Sequence, residues 1–407
     1  MVGHDGSAEW PGNLLQPSYL DEIGWRPIPI RQFLFKVQTR CNLSCDYCYV
    51  YEMADQTWRD KPMAMSGAVI DAAAKRIGEH AAAHDLDEVR IILHGGEPLL
   101  GGPAVLTYIR KAVTAALPPG TAVGFGMQSN GALLDDEAVR TCVDEGISVG
   151  ISLDGDQTAN DRHRLYKNGN SSYGQVLEAI GRLQRSPRPE LFTGILCTID
   201  ITNPPVETFE HFVGLGAPAV DFLLPHGNWS EPPPHWQGGD TTPYADWLIP
   251  IFDRWFDAPK REVHVRFFEE IINLVLGGRS QVETIGITPA TLVVIEGDGT
   301  IEQVDALKSA FDGAARTGLS VFSHSFDEAL SSPGMAARQI GIEALSDTCR
   351  RCPISTVCGG GYYPHRYRVG AGFLNPSVYC VDLLKLINHI ADKVDNAVAA
   401  MSASCES

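Results

Sequence analysis

The run Phe33-Leu-Phe-Lys-Val-Gln38 reads as a strand, and shortly beyond it the chain enters Cys41-Asn-Leu-Ser-Cys45-Asp-Tyr-Cys48. Three thiols packed this closely can fold over one face of a metal cluster. A structural zinc site requires four protein ligands, and the nearest further Cys or His is His80, beyond a predicted helix. A 4Fe-4S cluster held by three cysteines keeps one iron open for a small molecule. The bland alternative is three reduced thiols in a loop, joined or not by a distant zinc ligand. The remainder of the chain decides between them.

Working outward, a pattern of short β-branched or aromatic runs followed by amphipathic helices recurs six times. The predicted strands are 33–38, 89–93, 122–127, 147–152, 192–199 and 219–224; the predicted helices are 66–84, 103–117, 135–145, 173–186, 205–215 and 242–257. Ser66 and Asp135 are placed as N-caps, and Val69, Ala73 and Ile77 form an apolar stripe. Alternation of this kind implies a parallel sheet with right-handed crossovers, either doubly wound or an incomplete barrel. Both architectures put chemistry at the C-terminal ends of strands. There the sequence has the cysteine triplet, His94-Gly95-Gly96-Glu97-Pro98, Gln128-Ser129-Asn130-Gly131, Ser152-Leu153-Asp154-Gly155 and Pro225-His226-Gly227-Asn228-Trp229. Each alone reads as turn chemistry. Together on one face they describe a site for a zwitterionic, adenosine-sized ligand, with the glycine pair letting backbone approach an amine.

Beyond a helical stretch from Val263 to Leu276, residues Thr291 to Val304 read as a β-hairpin turning at Asp298-Gly299. Cys349, Cys352, Cys358 and Cys380 then form a second group that fits zinc or an iron-sulfur cluster. Leu383, Ile387, Ile390, Val394 and Val398 make one apolar face of a terminal helix expected to pack on the body. Cys142 and Cys197 are expected as buried core thiols, Cys405 as incidental in a frayed tail, and Asp298 and Asp305 as turn or surface groups.

The chain has 32 Lys and Arg against 50 Asp and Glu, a net charge of −18, which argues against nucleic acid and against an anionic membrane. A basic or neutral polypeptide suits it better as a partner. Ten cysteines, seven of them in two clusters, point to metal ligation in a reducing compartment, hence the cytoplasm. No signal peptide and no apolar run long enough for a membrane span is present in the sequence.

The motif Cys41-x3-Cys45-x-Tyr47-Cys48 resembles that of radical S-adenosylmethionine (radical SAM) enzymes. The resemblance implies a partial (β/α)6 TIM-like barrel with a C-terminal SPASM-like iron-sulfur domain. It implies that Cys41, Cys45 and Cys48 hold a 4Fe-4S cluster whose open iron chelates S-adenosylmethionine. Tyr47 would approach the adenine, Gly95, Gly96 and Glu97 the methionine amine, Ser152 the ribose, and Arg164 the carboxylate, with Ser129, Asn130 and Asp154 completing the cofactor site. Asn160 stands where related members often have His. In the SPASM-like part, Cys349, Cys352, Cys358 and Cys380 suffice for one auxiliary 4Fe-4S cluster, while Val304 and Tyr362 occupy places where two-cluster members carry cysteines.

The implied organisation is an irregular N-terminal extension (1–30), the barrel (31–257), a helical bridge (258–284), the auxiliary-cluster domain (285–381) and a C-terminal helix and tail (382–407). The segments Gly359–Arg366 and Gly372–Cys380 resemble FxsB-type maturases of ribosomally made peptides. That likeness implies an enzyme that takes a side-chain hydrogen atom from a precursor peptide and joins an aromatic ring to a β-carbon as a cyclophane, drawing electrons from a flavodoxin- or ferredoxin-type donor. His226, Tyr362 and His365 are candidates for its base by position alone. The alternatives are formylglycine formation on a sulfatase and, in a different class, a non-catalytic metal-binding protein.

Overall fold

In the computed structural model, which describes residues 10–405, six strands line up in chain order: β1 (Gln32–Gln38), β2 (Glu88–Gly95), β3 (Ala122–Ser129), β4 (Ile147–Ser152), β5 (Phe192–Thr198) and β6 (Ala219–Leu223). Every neighbouring pair is parallel. A doubly wound sheet reverses strand order at a switch point, whereas an unreversed order with right-handed crossovers keeps every helix on one face and curls the sheet. The incomplete barrel is therefore the architecture adopted. Its helices are Gly67–Ala83, Pro103–Ala116, Asp136–Glu145, Tyr173–Gln184, Pro205–Gly214 and Pro243–Phe256. Ser66 accepts from the Val69 amide and Asp135 from the Glu137 and Ala138 amides, so both caps form as expected.

The sheet continues past β1. Strand β8 (Leu292–Ile295) pairs parallel with β1, and β9 (Thr300–Glu302) and β10 (Arg316–Ser320) follow antiparallel. The hairpin turns at Gly299, whose φ of 85° suits glycine. At the other edge, β7 (His264–Val265) joins β6, so the expected helix begins only at Arg266 and runs to Val275. In the N-terminal extension a short helix, Pro17–Glu22, interrupts the irregular chain, and Trp10 stacks on Phe373 at 4.5 Å. Residues 1–9 and 406–407 and the Cys405 side chain lie outside the description. The helix Cys380–Cys405 buries Leu383, Ile387, Ile390 and Val394, while Val398 is exposed because the helix has by then run past the body. Cys142 and Cys197 are buried. Among the described residues no helix is long and apolar enough to cross a membrane.

One expectation fails. Asp305 is buried, 2 % exposed, rather than a surface group. Its Oδ2 meets Lys36 Nζ at 2.5 Å, and Lys308 Nζ reaches Glu296 at 2.5 Å, Glu302 at 2.9 Å and Asp305 at 3.8 Å. The aspartate is tolerated inside because cations come with it. Burial alone would raise its pKa, but Lys36 and Lys308 outweigh that and hold it down at about 2. The network ties β1 to the chain after β9. Replacing Lys308 with Met leaves buried Glu296 with no cation among the described residues and Glu302 with only Lys61 at 3.7 Å, and is expected to cost about 3–5 kcal/mol, read as a lowered urea midpoint of the cofactor-free protein. An unchanged midpoint would show the ammonium to be dispensable.

Candidate active site

The five loops expected at the strand ends converge on one cavity of about 230 Å³. Its wall includes Cys41, Cys45, Cys48 and Tyr47 from the loop after β1, Gly95 and Gly96 after β2, Ser129 and Asn130 after β3, Ser152 of β4, Arg164 and His226. Glu97 and Asp154 do not line it and act from behind. The fully buried Glu97 carboxylate accepts from the Asn130 amide (2.8 Å), the Ser129 hydroxyl (3.0 Å) and the Leu99 amide (3.1 Å), which fixes the end of β3 against the loop after β2. Asp154 accepts from the Tyr47 hydroxyl at 2.5 Å and the Thr198 amide at 3.0 Å. The Tyr47 oxygen in turn accepts from the Arg164 guanidinium at 2.7 Å. Arg164 Nε has no partner among the described residues although it is buried, which leaves a cationic donor free beside the cavity.

Sequence reasoning missed several wall residues. Leu196 and Thr198 come from the end of β5, which gives no Gly-rich signal, and Tyr49 and Tyr51 come from within the triplet's own loop. Gln128 also reaches the wall, donating to Ser152 Oγ at 2.9 Å. It has room because position 150 is glycine: a Cβ there would lie 2.4 Å from Gln128 Oε1. His94 lines the cavity too; its Nδ1 has no partner among the described residues, and burial pushes its pKa down to about 4. Asn160 points elsewhere, its amide reaching Ser172 Oγ at 3.4 Å beneath the Arg164 loop.

The glycine pair has a packing role. A Cβ at position 95 would lie 2.1 Å from Gln38 O, and one at 96 would lie 1.9 Å from the Tyr51 hydroxyl and 2.4 Å from Arg40 O. The loop after β2 must press directly onto the loop carrying the cysteines, and the amides of Gly96 and Glu97 donate to Gln38 O and Arg40 O across that seam.

Cys349, Cys352, Cys358 and Cys380 line a separate cavity, so the second group assembles as one set despite the sequence gap before Cys380. Around a single tetrahedral zinc, thiolate sulfurs sit about 3.8 Å apart. Among the described residues no three cysteine sulfurs lie within 4.8 Å of one another, so neither set has the compact spacing of a single tetrahedral zinc. Burial pushes the Cys45 and Cys358 thiols up to about 12, so their ionisation depends on bound metal. Asn130 Nδ2 (3.6 Å) and the Leu43 amide (3.4 Å) already approach Cys41 Sγ. Two other groupings resemble metal sites and are not. His80 Nε2 accepts from the Ile30 amide, which puts its proton on Nδ1, 2.9 Å from an Asp327 oxygen but not aligned for a hydrogen bond, so neither ring nitrogen is a free ligand. Lys308 already fills the centre of the Glu296, Glu302 and Asp305 group.

A further cavity of about 230 Å³ adjoins the first, with Tyr49, Leu223, Leu224 and His226 in both walls. The candidates His226, Tyr362 and His365 meet there, with ring centroids 5.5–6.2 Å apart.

Residues 35–215 match the family model of the Radical SAM superfamily. The chain is 24% identical over 357 residues to the serine-type anaerobic sulfatase-maturating enzyme of Klebsiella aerogenes, covering 84% of this chain and 82% of that protein. The structure of native anSMEcpe with bound AdoMet and Cp18Cys peptide superposes with a TM-score of 0.78 at 18% identity, over 92% of this chain and 100% of that one. Streptococcus suis SuiB bound to precursor peptide SuiA gives 0.56 at 13%, over 89% and 78%. The chain thus carries a radical SAM domain and is an enzyme homologous to anaerobic sulfatase-maturating enzymes. Such a domain works with S-adenosylmethionine and a 4Fe-4S cluster, and the donor set lining the first cavity fits both.

Two outcomes follow from this geometry. Gly96→Ala should cost the triplet its cluster, measured as iron per chain after anaerobic reconstitution; full iron loading would contradict the seam. Burial raises the Glu97 pKa to about 7 despite its three donors. A carboxyl raised on folding contributes most stability below its unfolded value near 4.5 and loses it as pH rises through 7. Glu97→Gln should therefore flatten the fall in stability of the cofactor-free protein between about pH 5 and 7 in urea titrations, and parallel curves for the two proteins would refute the assignment.

Proposed function

We propose that this enzyme matures a ribosomally made peptide, joining an aromatic ring to the β-carbon of a nearby residue. The observation that carries the reading is the pair of adjoining cavities. Oxidising one small side chain needs a single chamber, whereas forming a carbon-carbon bond between two residues needs room for both beside the reactive centre.

When bound, the triplet's cluster and S-adenosylmethionine supply a 5′-deoxyadenosyl radical that takes a hydrogen atom from an unactivated carbon. The chain's own work is positional. Cys41, Cys45 and Cys48 would hold the cluster, and Gly95 and Gly96 would offer backbone to the methionine end. Tyr47, fixed between Asp154 and Arg164, would form a wall for the adenine, with Ser152 toward the ribose and Ser129 and Asn130 closing the side next to Cys41. Glu97 would hold these loops in register, and Arg164 Nε would serve a carboxylate. Cys349, Cys352, Cys358 and Cys380 would hold an auxiliary cluster, which with four protein ligands has no open iron and suits electron transfer. A flavodoxin- or ferredoxin-type protein would deliver the reducing electron.

Similarity to the Klebsiella aerogenes enzyme favours a second reading, oxidation of a serine or cysteine to formylglycine on a sulfatase. Both products of a serine peptide lack two hydrogens, so mass alone does not separate them. Anaerobic reconstitution, reduction and addition of S-adenosylmethionine with a synthetic peptide carrying an aromatic residue close to a serine should yield 5′-deoxyadenosine and a peptide lighter by two hydrogens that resists hydrazide labelling. A hydrazide-reactive product would mean formylglycine, and absence of 5′-deoxyadenosine would sink both readings. Cys352→Ala should lower iron by about one cluster while leaving the triplet's in place.

A further inference from the structure

The second cavity has a composition that a cofactor site does not require. Its wall combines the apolar Leu34, Phe222, Phe267 and Leu383 with His226 and His365. His226 Nδ1 and His365 Nε2 are both buried and neither has a hydrogen-bond partner among the described residues. Both imidazoles line one chamber, and each carries a buried ring nitrogen that nothing among the described residues satisfies. We propose that this chamber receives the aromatic side chain of the peptide, and that His226 accepts the proton its ring releases when the carbon-carbon bond forms. The inference rests on the crosslinking reading above and names the acceptor that reading lacks.

The assignment to His226 follows from position. It lies in the wall of both cavities, whereas His365 and Tyr362 line only the second. A bond between a β-carbon in the first chamber and a ring in the second forms at the shared wall, so the departing proton leaves there. The edge of Tyr49, whose ring centroid is 4.7 Å from that of His226 at 69°, holds the imidazole in place. Chemistry agrees with position. Burial lowers the His226 pKa to about 4, which keeps the ring neutral and able to accept. Tyr362 is a phenol held protonated by burial. Asp305 and Asp221 share the chamber, but Asp305 Oδ2 is paired with Lys36 at 2.5 Å, its Oδ1 lies 3.8 Å from the Lys308 ammonium and its proton affinity is low, while Asp221 accepts from Arg266 Nε at 2.9 Å, so both are the poorer acceptors.

The step balances. One hydrogen atom leaves the β-carbon for the 5′-deoxyadenosyl radical, and the resulting carbon radical forms the bond to the ring. The ring's C–H bond then breaks, its proton going to the His226 imidazole and its electron to the iron-sulfur cluster that Cys349, Cys352, Cys358 and Cys380 would hold. Rearomatisation completes the exchange.

The test uses the reconstituted full chain and the same synthetic peptide. His226→Gln should lower the ratio of crosslinked peptide to 5′-deoxyadenosine by at least about tenfold; an unchanged ratio would overturn the role. On the unaltered enzyme, the same peptide with its aromatic residue replaced by p-azidophenylalanine should, on illumination, attach to residues within 222–226 or 362–365, mapped by proteolysis and mass spectrometry. Attachment elsewhere would overturn the chamber assignment even if the variant fails to fold. If the unaltered enzyme gives a hydrazide-reactive product, the crosslinking reading fails; if it crosslinks while either result above is contrary, only the present inference does.

Discussion

The pairing of Lys36 with Asp305 is the interaction on which the rest of the molecule turns. Lys36 sits near the end of β1, a few residues before the first cysteine of the triplet, and Asp305 follows the hairpin that leads toward the second cysteine set. Taking either charge out of water alone would cost several kcal/mol, so each is acceptable only where the other stands. The pair therefore fixes the register between the strand that bears the triplet and the C-terminal part of the chain. The second cavity forms where these two parts face each other, and Asp305 lies in its wall.

Much of this was legible in the sequence because it rests on local rules. The six strand-helix units follow from hydrophobic period and capping, and the convergence of loops follows from strand direction alone. The cysteine sets followed from spacing and from a resemblance. What escaped was long-range. Nothing near Asp305 announces that Lys36 and Lys308 will meet it inside, since a buried ion pair is written in residues far apart. The placement of β8 beside β1 was equally hidden, because a parallel pairing across so much intervening chain leaves no local mark. Thr198 and Leu196 were overlooked because a strand that ends without glycine looks like the end of any strand.

The glycines illustrate how one residue type can be read correctly for position and differently for cause. Gly95 and Gly96 suggested a backbone approaching a ligand. In the fold they let backbone approach backbone, and the ligand wall is a result of that closeness. Glu97 likewise works one layer back, shaping the surface that Ser129 and Asn130 present. The site is built in two layers, and the outer one contains most of the charged atoms.

The continuous sheet has a kinetic meaning. Because β8 is hydrogen-bonded to β1, the triplet and the segment leading to Cys349 belong to one rigid plate with no hinge between them. On the crosslinking proposal, the span an electron would cross between the two cysteine sets is thus set when the chain folds and does not wait on a domain closing. Timing must come from elsewhere: from the arrival of a side chain that displaces water, so that substrate governs when the chemistry starts while the scaffold governs how far the electron travels.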